Sequence, residues 1–238
     1  MRFRTLSLSA LAVVAACGCK SGPVERLAEA PPVNFPAGWN MAKDDESGVS
    51  IGVPPGWAEG TGVAADIPVP GMSGGTDPSL NSDPNNVGGQ MAAALGGAMA
   101  SMASDRDKKE RARLRANGVI INVTDGSKSS IAEQRTRFYV KRIKHDSPFG
   151  LEAAIAEEKN HLINEGAGAD VTLPVGKAHR FEAQNDLKDG DHQTQISYVL
   201  ADGSDTYLIR FISTNNPEIF KPFEANVAQS FRIKHPAK

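Results

Sequence analysis

The chain of 238 residues holds two cysteines, Cys17 and Cys19, both near its start and separated by Gly18 alone. A cysteine can form a disulfide, ligate a metal, cycle in a redox pair or accept a covalent group. One intervening residue makes a bridge between these two strained, and there is no further cysteine to complete a zinc set. A Cys-x-x-Cys redox pair needs one residue more. Covalent modification is the chemistry left to them. Arg2 and Arg4 precede an unbroken apolar and small stretch from Leu6 to Ala16, which is too short to span a bilayer and has the form of an export signal.

The other chemically capable residues are scattered. His145, His161, His179, His192 and His235 show no His-Glu-x-x-His spacing. Glu157 and Glu158 lie four and three residues before His161, where a helix would put all three on one face. That arrangement binds a metal weakly, and a solvated helix face is the plainer reading. Gly48-Val49-Ser50-Ile51-Gly52 and Gly71-Met72-Ser73-Gly74-Gly75 match the Gly-x-Ser-x-Gly spacing, but the first lies within an expected strand and the second in a Gly- and Pro-rich stretch. Neither has the strand-to-helix turn of a nucleophile elbow, and no phosphate-binding glycine loop occurs. The turns "TDGSKS", "KDGDH" and "ADGSD" lack the distal glutamate of a calcium loop and read as hairpin turns. Asn122-Val123-Thr124 matches a glycosylation sequon inside an expected strand. These residues lead us to expect no enzyme, no cofactor and no metal site.

Elements able to position side chains begin near Trp39, after a Pro- and Ala-rich stretch from Lys20 to Pro36 that reads as a tether. "SGVSIGVPPGW" offers a strand with Val49, Ile51 and Val53 on one face, stopped by Pro54-Pro55 and a turn at Gly56. Residues 58–117 read as an insertion. Its first part is rich in Gly, Pro, Ser, Asp and Asn; its second, from Gly88, favours helix until Asn117-Gly118. "GVIINVT" and "RTRFYVKRI" follow as strands, the latter alternating Phe138 and Val140 with Arg137, Tyr139 and Lys141. Ser147-Pro148 is expected to open a helix carrying Leu151, Ala154, Ile155 and Leu162 as far as Gly166 or Gly168. Single strands are expected at "VTLPVGKAHRFEA", "QTQISYVLA" and "DTYLIRFIS", the last two joined at Asp202-Gly203. A helix capped by Asn216-Pro217 bears Ile219, Phe220, Phe223 and Val227, and "SFRI" closes the chain.

Two resemblances add to this. Val14-Ala15-Ala16-Cys17 resembles the lipobox of bacterial lipoproteins, with Val14 where leucine is commonest. The resemblance implies a signal peptide over 1–16, a lipid on Cys17 with Cys19 as the second candidate, and a tether over 17–38. An ordinary signal cleaved near Ala16 is the alternative. "IGVPPGW" and "YLIRFISTNNPEIFKPFEANVAQSF" resemble the PsbP-like domains, which implies an α+β fold over 39–236, an antiparallel β-sheet covered by helices, with 58–117 inserted. That fold hosts binding and assembly more than catalysis.

The functional expectation is a lipid-anchored envelope protein acting as a non-enzymatic binding or assembly module, with the membrane and an envelope protein as partners. A small-ligand carrier or enzyme with a pocket under 58–117 is the alternative. Gly18 in place of the aspartate that retains Gram-negative lipoproteins at the inner membrane favours the outer one in a Gram-negative host, while a Gram-positive host would place the anchor on the outer leaflet of its single membrane. The net charge of −2 gives no basic excess for nucleic acid. At helical spacing Met91, Leu95, Met99 and Met102 form one stripe, with Lys108, Lys109, Arg111, Arg113 and Arg115 beyond it. This stripe reads as a lid over the sheet, as a disordered segment, or as a membrane or partner contact. Arg135, Arg137 and Lys141 share a strand face with Tyr139, as either a polyanion surface or the wet face of the sheet.

Overall fold

The computed structural model describes residues 26–60, 105, 108–125, 136–162, 165–187 and 190–235. Cys17, Cys19 and the Met91, Leu95, Met99 and Met102 stripe lie outside these residues.

Two antiparallel sheets and three helices make an α+β architecture. The larger sheet contains β3 (Ala58–Glu59), β4 (Val119–Thr124), β5 (Arg137–Lys144), β6 (Glu165–Leu173), β7 (Gly176–Asp186), β8 (His192–Asp202) and β9 (Asp205–Thr214), in the order β3-β4-β5-β9-β8-β7-β6. The smaller sheet sets β1 (Asn40–Asp44) and β10 (Arg232–Ile233) on either side of β2 (Val49–Val53). The helices are α1 (residues 108–116), α2 (Leu151–His161) and α3 (Lys221–Gln229).

Period-two patterning decides which side chains meet. Phe138 and Val140 of β5 are fully buried on one face with Ile196, Tyr198 and Leu200 of β8 and Tyr207, Ile209 and Phe211 of β9. The smaller sheet and α3 close this face through Val49, Ile51, Val53, Val227 and Ile233. A row of aromatic contacts runs Trp57–Phe138–Phe211–Phe220, with centroids 5.8, 5.4 and 5.7 Å apart. It joins the Pro-Pro-Gly-Trp turn, where Trp57 N–H donates to Pro54 O, to the final helical segment. On the opposite face α2 packs Ala154 against Phe181, Val199 and Leu208, with Leu151, Ile155 and Leu162 around them.

Several elements differ from expectation. Helix α2 begins at Leu151 and takes Gly150, not Ser147, as its N-cap, with no side-chain cap. Phe149 is the reason: its N–H donates to Gly203 O and its ring stacks on His145 at 3.7 Å, which ties the segment before the helix to the β8–β9 turn. The helix ends at His161, short of Gly166, because β6 starts at Glu165. The expected single strand at "VTLPVGKAHRFEA" is the hairpin β6–β7, turning at Pro174-Val175. Asn216 makes no side-chain cap, and the last helical segment divides into a 3₁₀ turn (Pro217–Ile219) and α3. Within the stretch read as tether, Leu27 is buried in the main core. Its N–H donates to Asp202 Oδ1 at 3.0 Å, and Ala28 N–H donates to Val175 O at 2.7 Å. The chain therefore joins the fold well before Trp39.

Candidate functional site

The second face of the large sheet carries a largely buried ion pair, which places a charged residue of β9 among apolar neighbours. Alternation along "YLIRFIS" sends Leu208, Arg210 and Ile212 to this face, so Arg210 sits between two apolar neighbours. Its Nη2 donates to Glu158 of α2, its Nη1 to the Tyr139 hydroxyl at 3.0 Å and its Nε to the Ser197 hydroxyl at 3.1 Å. Glu158 is 2% exposed. Burial opposes the charge on Arg210, but Tyr139 and Glu158 outweigh it and hold its pKa above the usual value. A largely buried ion whose three nitrogens each find an acceptor is held rigidly. The network fixes both the tilt of α2 and the floor beside it.

That floor opens into a groove of about 510 Å³ between the end of α1, β5 and α2. Lys141, Arg142 and Lys144 supply one wall, Glu157, Glu158 and His161 the other, and residues 116–118 the rim. Arg142 donates to Asp205 at 2.5 Å, and this bond keeps its pKa raised. Neither Lys141 nor Lys144 forms an ion pair among the described residues. A second recess of about 290 Å³ continues past Arg142 and Lys144 to Asp44 and Arg115.

Gly118 makes this junction possible. It ends α1 at φ +80°, its N–H donates to Arg115 O, and its carbonyl accepts Arg142 N–H at 2.8 Å. Arg115 turns inward from α1 to Asp44 at 3.0 Å and Glu46 at 3.6 Å. Burial raises the Asp44 pKa, but bonds from Ser47 and Arg115 outweigh it, so the carboxyl stands below its ordinary value. On the other side of α1, Arg111, Leu114 and Arg115 border a recess of about 140 Å³ with Glu59. Burial pushes the Glu59 pKa up against the pull of Arg111.

The sequence-marked residues divide accordingly. Lys108, Lys109 and Arg111 are exposed on α1, with Lys108 3.9 Å from Asp105. Arg113, also exposed, lies 3.4 Å from Glu110. Glu157, Glu158 and His161 do share a groove, but Glu158 is engaged by Arg210, and no group of His, Cys, Asp or Glu able to hold a metal occurs among the described residues. Lys141 and Tyr139 belong to the groove and its floor. Sequence reasoning missed Arg210, although a lone arginine in an apolar strand is itself a signal for a buried partner.

The class so defined is an antiparallel α+β domain with a polar groove between its helices. No family model matches the sequence, and no curated protein matches it. Among solved structures, the chain is similar to cyanobacterial PsbP (CyanoP) from Synechocystis sp. PCC 6803, at 10% identity and a TM-score of 0.43, over 87% of this chain and 98% of that one. A Bacteroides thetaiotaomicron protein is similar at 10% identity and TM-score 0.40, over 80% of this chain and 47% of that one. LpqN, described as involved in cell envelope biogenesis of Mycobacterium tuberculosis, is similar at 14% identity and TM-score 0.36, over 48% and 72%. These likenesses concern shape and carry no activity to this chain.

Proposed function

We propose that the protein is a lipid-anchored envelope protein whose domain is a non-enzymatic binding module, with the groove between α1, β5 and α2 as its binding site. The observation that carries the binding role is the division of charge there. Arg210 and Arg142 are held by Glu158 and Asp205 as structure, while Lys141 and Lys144 line the groove without such partners among the described residues. A rigid floor with unengaged polar groups at its rim is the form of a recognition site. The anchoring role rests on Arg2, Arg4, the apolar stretch to Ala16 and Cys17. No helix among the described residues is long and apolar enough to cross a membrane.

Labelled palmitate fed to cells making the wild type or Cys17→Ala tests the anchor, with labelling lost in the variant. Label unchanged in Cys17→Ala moves the site to Cys19 or defeats the assignment. A photo-crosslinking residue at Lys144, with one at Leu187 as control, tests the groove in intact envelopes. A discrete adduct at Lys144 only is expected, and equal patterns would defeat it.

One observation favours a second reading, a small-ligand carrier or enzyme. Three recesses among the described residues border residues 111–118, at the end of the 58–117 insertion, and the largest of them has the volume of a small-molecule site, while a fourth of about 360 Å³ lies away from it between α2 and the β6–β7 hairpin. Binding of a metabolite by the purified domain, abolished by Lys141→Ala, would favour it.

A further inference from the structure

We infer that the groove seats the phosphate headgroup of a lipid in the bilayer to which the chain is anchored. The inference rests on the anchoring reading above and follows from where the N-terminal arm joins the fold.

The arm is clasped on several sides. Leu27 N–H donates to Asp202, Leu27 O lies 3.1 Å from His235 Nε2, and His235 N–H donates to Glu29 at 2.9 Å. Arg232 Nε donates to Pro31 O at 2.6 Å. Arg26 therefore leaves the domain beside the β8–β9 turn, where Asp202 and Asp205 face each other. From Cys17 to Arg26 the chain spans at most about 32 Å, whatever its course. Strand β8 runs from that turn for 11 residues, about 33 Å end to end, to the β7–β8 turn at the other end of the sheet. The reach barely matches the length of the sheet, so an anchored domain inverts only with its arm drawn out completely. Any more relaxed arm keeps the end bearing Asp202, Gly203 and Ser204 toward the membrane.

The groove is at that end. Lys144 is the register partner of Asp205, Arg142 of Tyr207 and Lys141 of Leu208, all within the first turnward residues of β9. Across the same turn, Asp202 receives the arm while Asp205 receives Arg142. A bilayer held at this end offers phosphates at high local concentration, and ammonium groups without an ion-pair partner are suited to take them as point charges. Glu157 on the facing wall keeps the groove from being a general polyanion surface and suits a headgroup carrying an amine beside its phosphate.

The test uses the full lipidated chain in vesicles of phosphatidylethanolamine and phosphatidylglycerol, with a photo-crosslinking residue at Ser204, Asn117 or Leu187. Lipid adducts are expected at Ser204 and Asn117, at least fivefold above those at Leu187. Lys141→Glu with Lys144→Glu should reduce the Asn117 adduct at least fivefold and spare the Ser204 adduct. Inorganic phosphate at millimolar concentration should leave both unchanged, which separates a lipid from free phosphate. Equal adducts at Leu187 and Ser204, an Asn117 adduct indifferent to the charge reversals, or displacement by inorganic phosphate would each overturn the inference while leaving the anchor intact. A chain that carries no lipid overturns both.

Discussion

Arg180 of β7 donates to both carboxylate oxygens of Glu224 of α3, at 2.8 and 3.2 Å, and so pins the final helix across the main core. Tyr198 adds a third bond, its hydroxyl donating to Glu224 Oε1 at 2.6 Å. The bond from Glu224 holds Arg180 charged, and burial together with the same carboxylate holds Tyr198 protonated. Removing one partner leaves the other charge in a poorly solvated place, a loss usually of several kcal/mol. Because Arg180 is a quarter exposed at its side chain, we expect about 2–3 kcal/mol for Glu224→Ala, read from urea unfolding. A loss under about 0.5 kcal/mol would show that α3 is held by its apolar face alone.

Leu27→Ala tests whether the arm is part of the fold. Leu27 is 4% exposed within the main core, and truncating such a leucine costs about 2–5 kcal/mol. A loose tether would lose nothing. The variant should also expose residues 26–38 to protease at concentrations the wild type withstands, whereas unchanged stability and cleavage would return this stretch to the role of a spacer.

How much of this was legible in the sequence depended on local pattern. β2 with its Pro-Pro-Gly-Trp stop, the Phe138 and Val140 face, the turn at Gly203 and the final helix are all written in side-chain periods and turn residues, which act over a few positions. β6 was not legible because "EGAGAD" has no alternation; small residues at a sheet edge carry no period to read. Leu27 looked like one apolar residue in a tether, and only Asp202, 175 residues away, gives it a place. In the groove, Lys141 and Tyr139 were marked by their strand face, but Arg210 needed its partner on α2 to acquire meaning.

Gly118→Ala should disturb both α1 and the groove. A Cβ there would stand 2.5 Å from the Arg142 carbonyl oxygen, on a backbone at φ +80°. Left-handed strain costs about 1 kcal/mol or more, and a backbone contact this close cannot be relieved by turning a side chain. The expected signature is a lower unfolding midpoint together with reduced crosslinking at Lys144. A variant as stable as wild type would mean that α1 repositions freely.

Alkaline unfolding should report the buried tyrosines. Burial pushes the Tyr207 pKa from 10.0 up to about 12. Between those values the unfolded chain releases the phenolic proton while the folded chain keeps it, so stability falls as pH rises through this window. The shift corresponds to about 2–3 kcal/mol at its upper end. Tyr198 is shifted in the same direction, so Tyr207→Phe should flatten the slope between pH 10 and 12 without abolishing it. A slope identical to wild type would place the alkaline transition elsewhere.

The Arg210 and Glu158 pair separates a structural floor from a recognition group. If the pair only holds α2 to the sheet, an apolar pair of similar volume should do so equally well, because two charges taken from water together gain little over a packed contact. Arg210→Met alone strands Glu158 and Glu158→Leu alone strands Arg210, each expected to cost about 3 kcal/mol or more. The double variant should recover most of that loss in urea unfolding, with crosslinking at Lys144 retained. Recovery of stability without recovery of the adduct would instead assign the pair to recognition, since the fold would be intact and only the Arg210 and Glu158 charges would be missing from the groove.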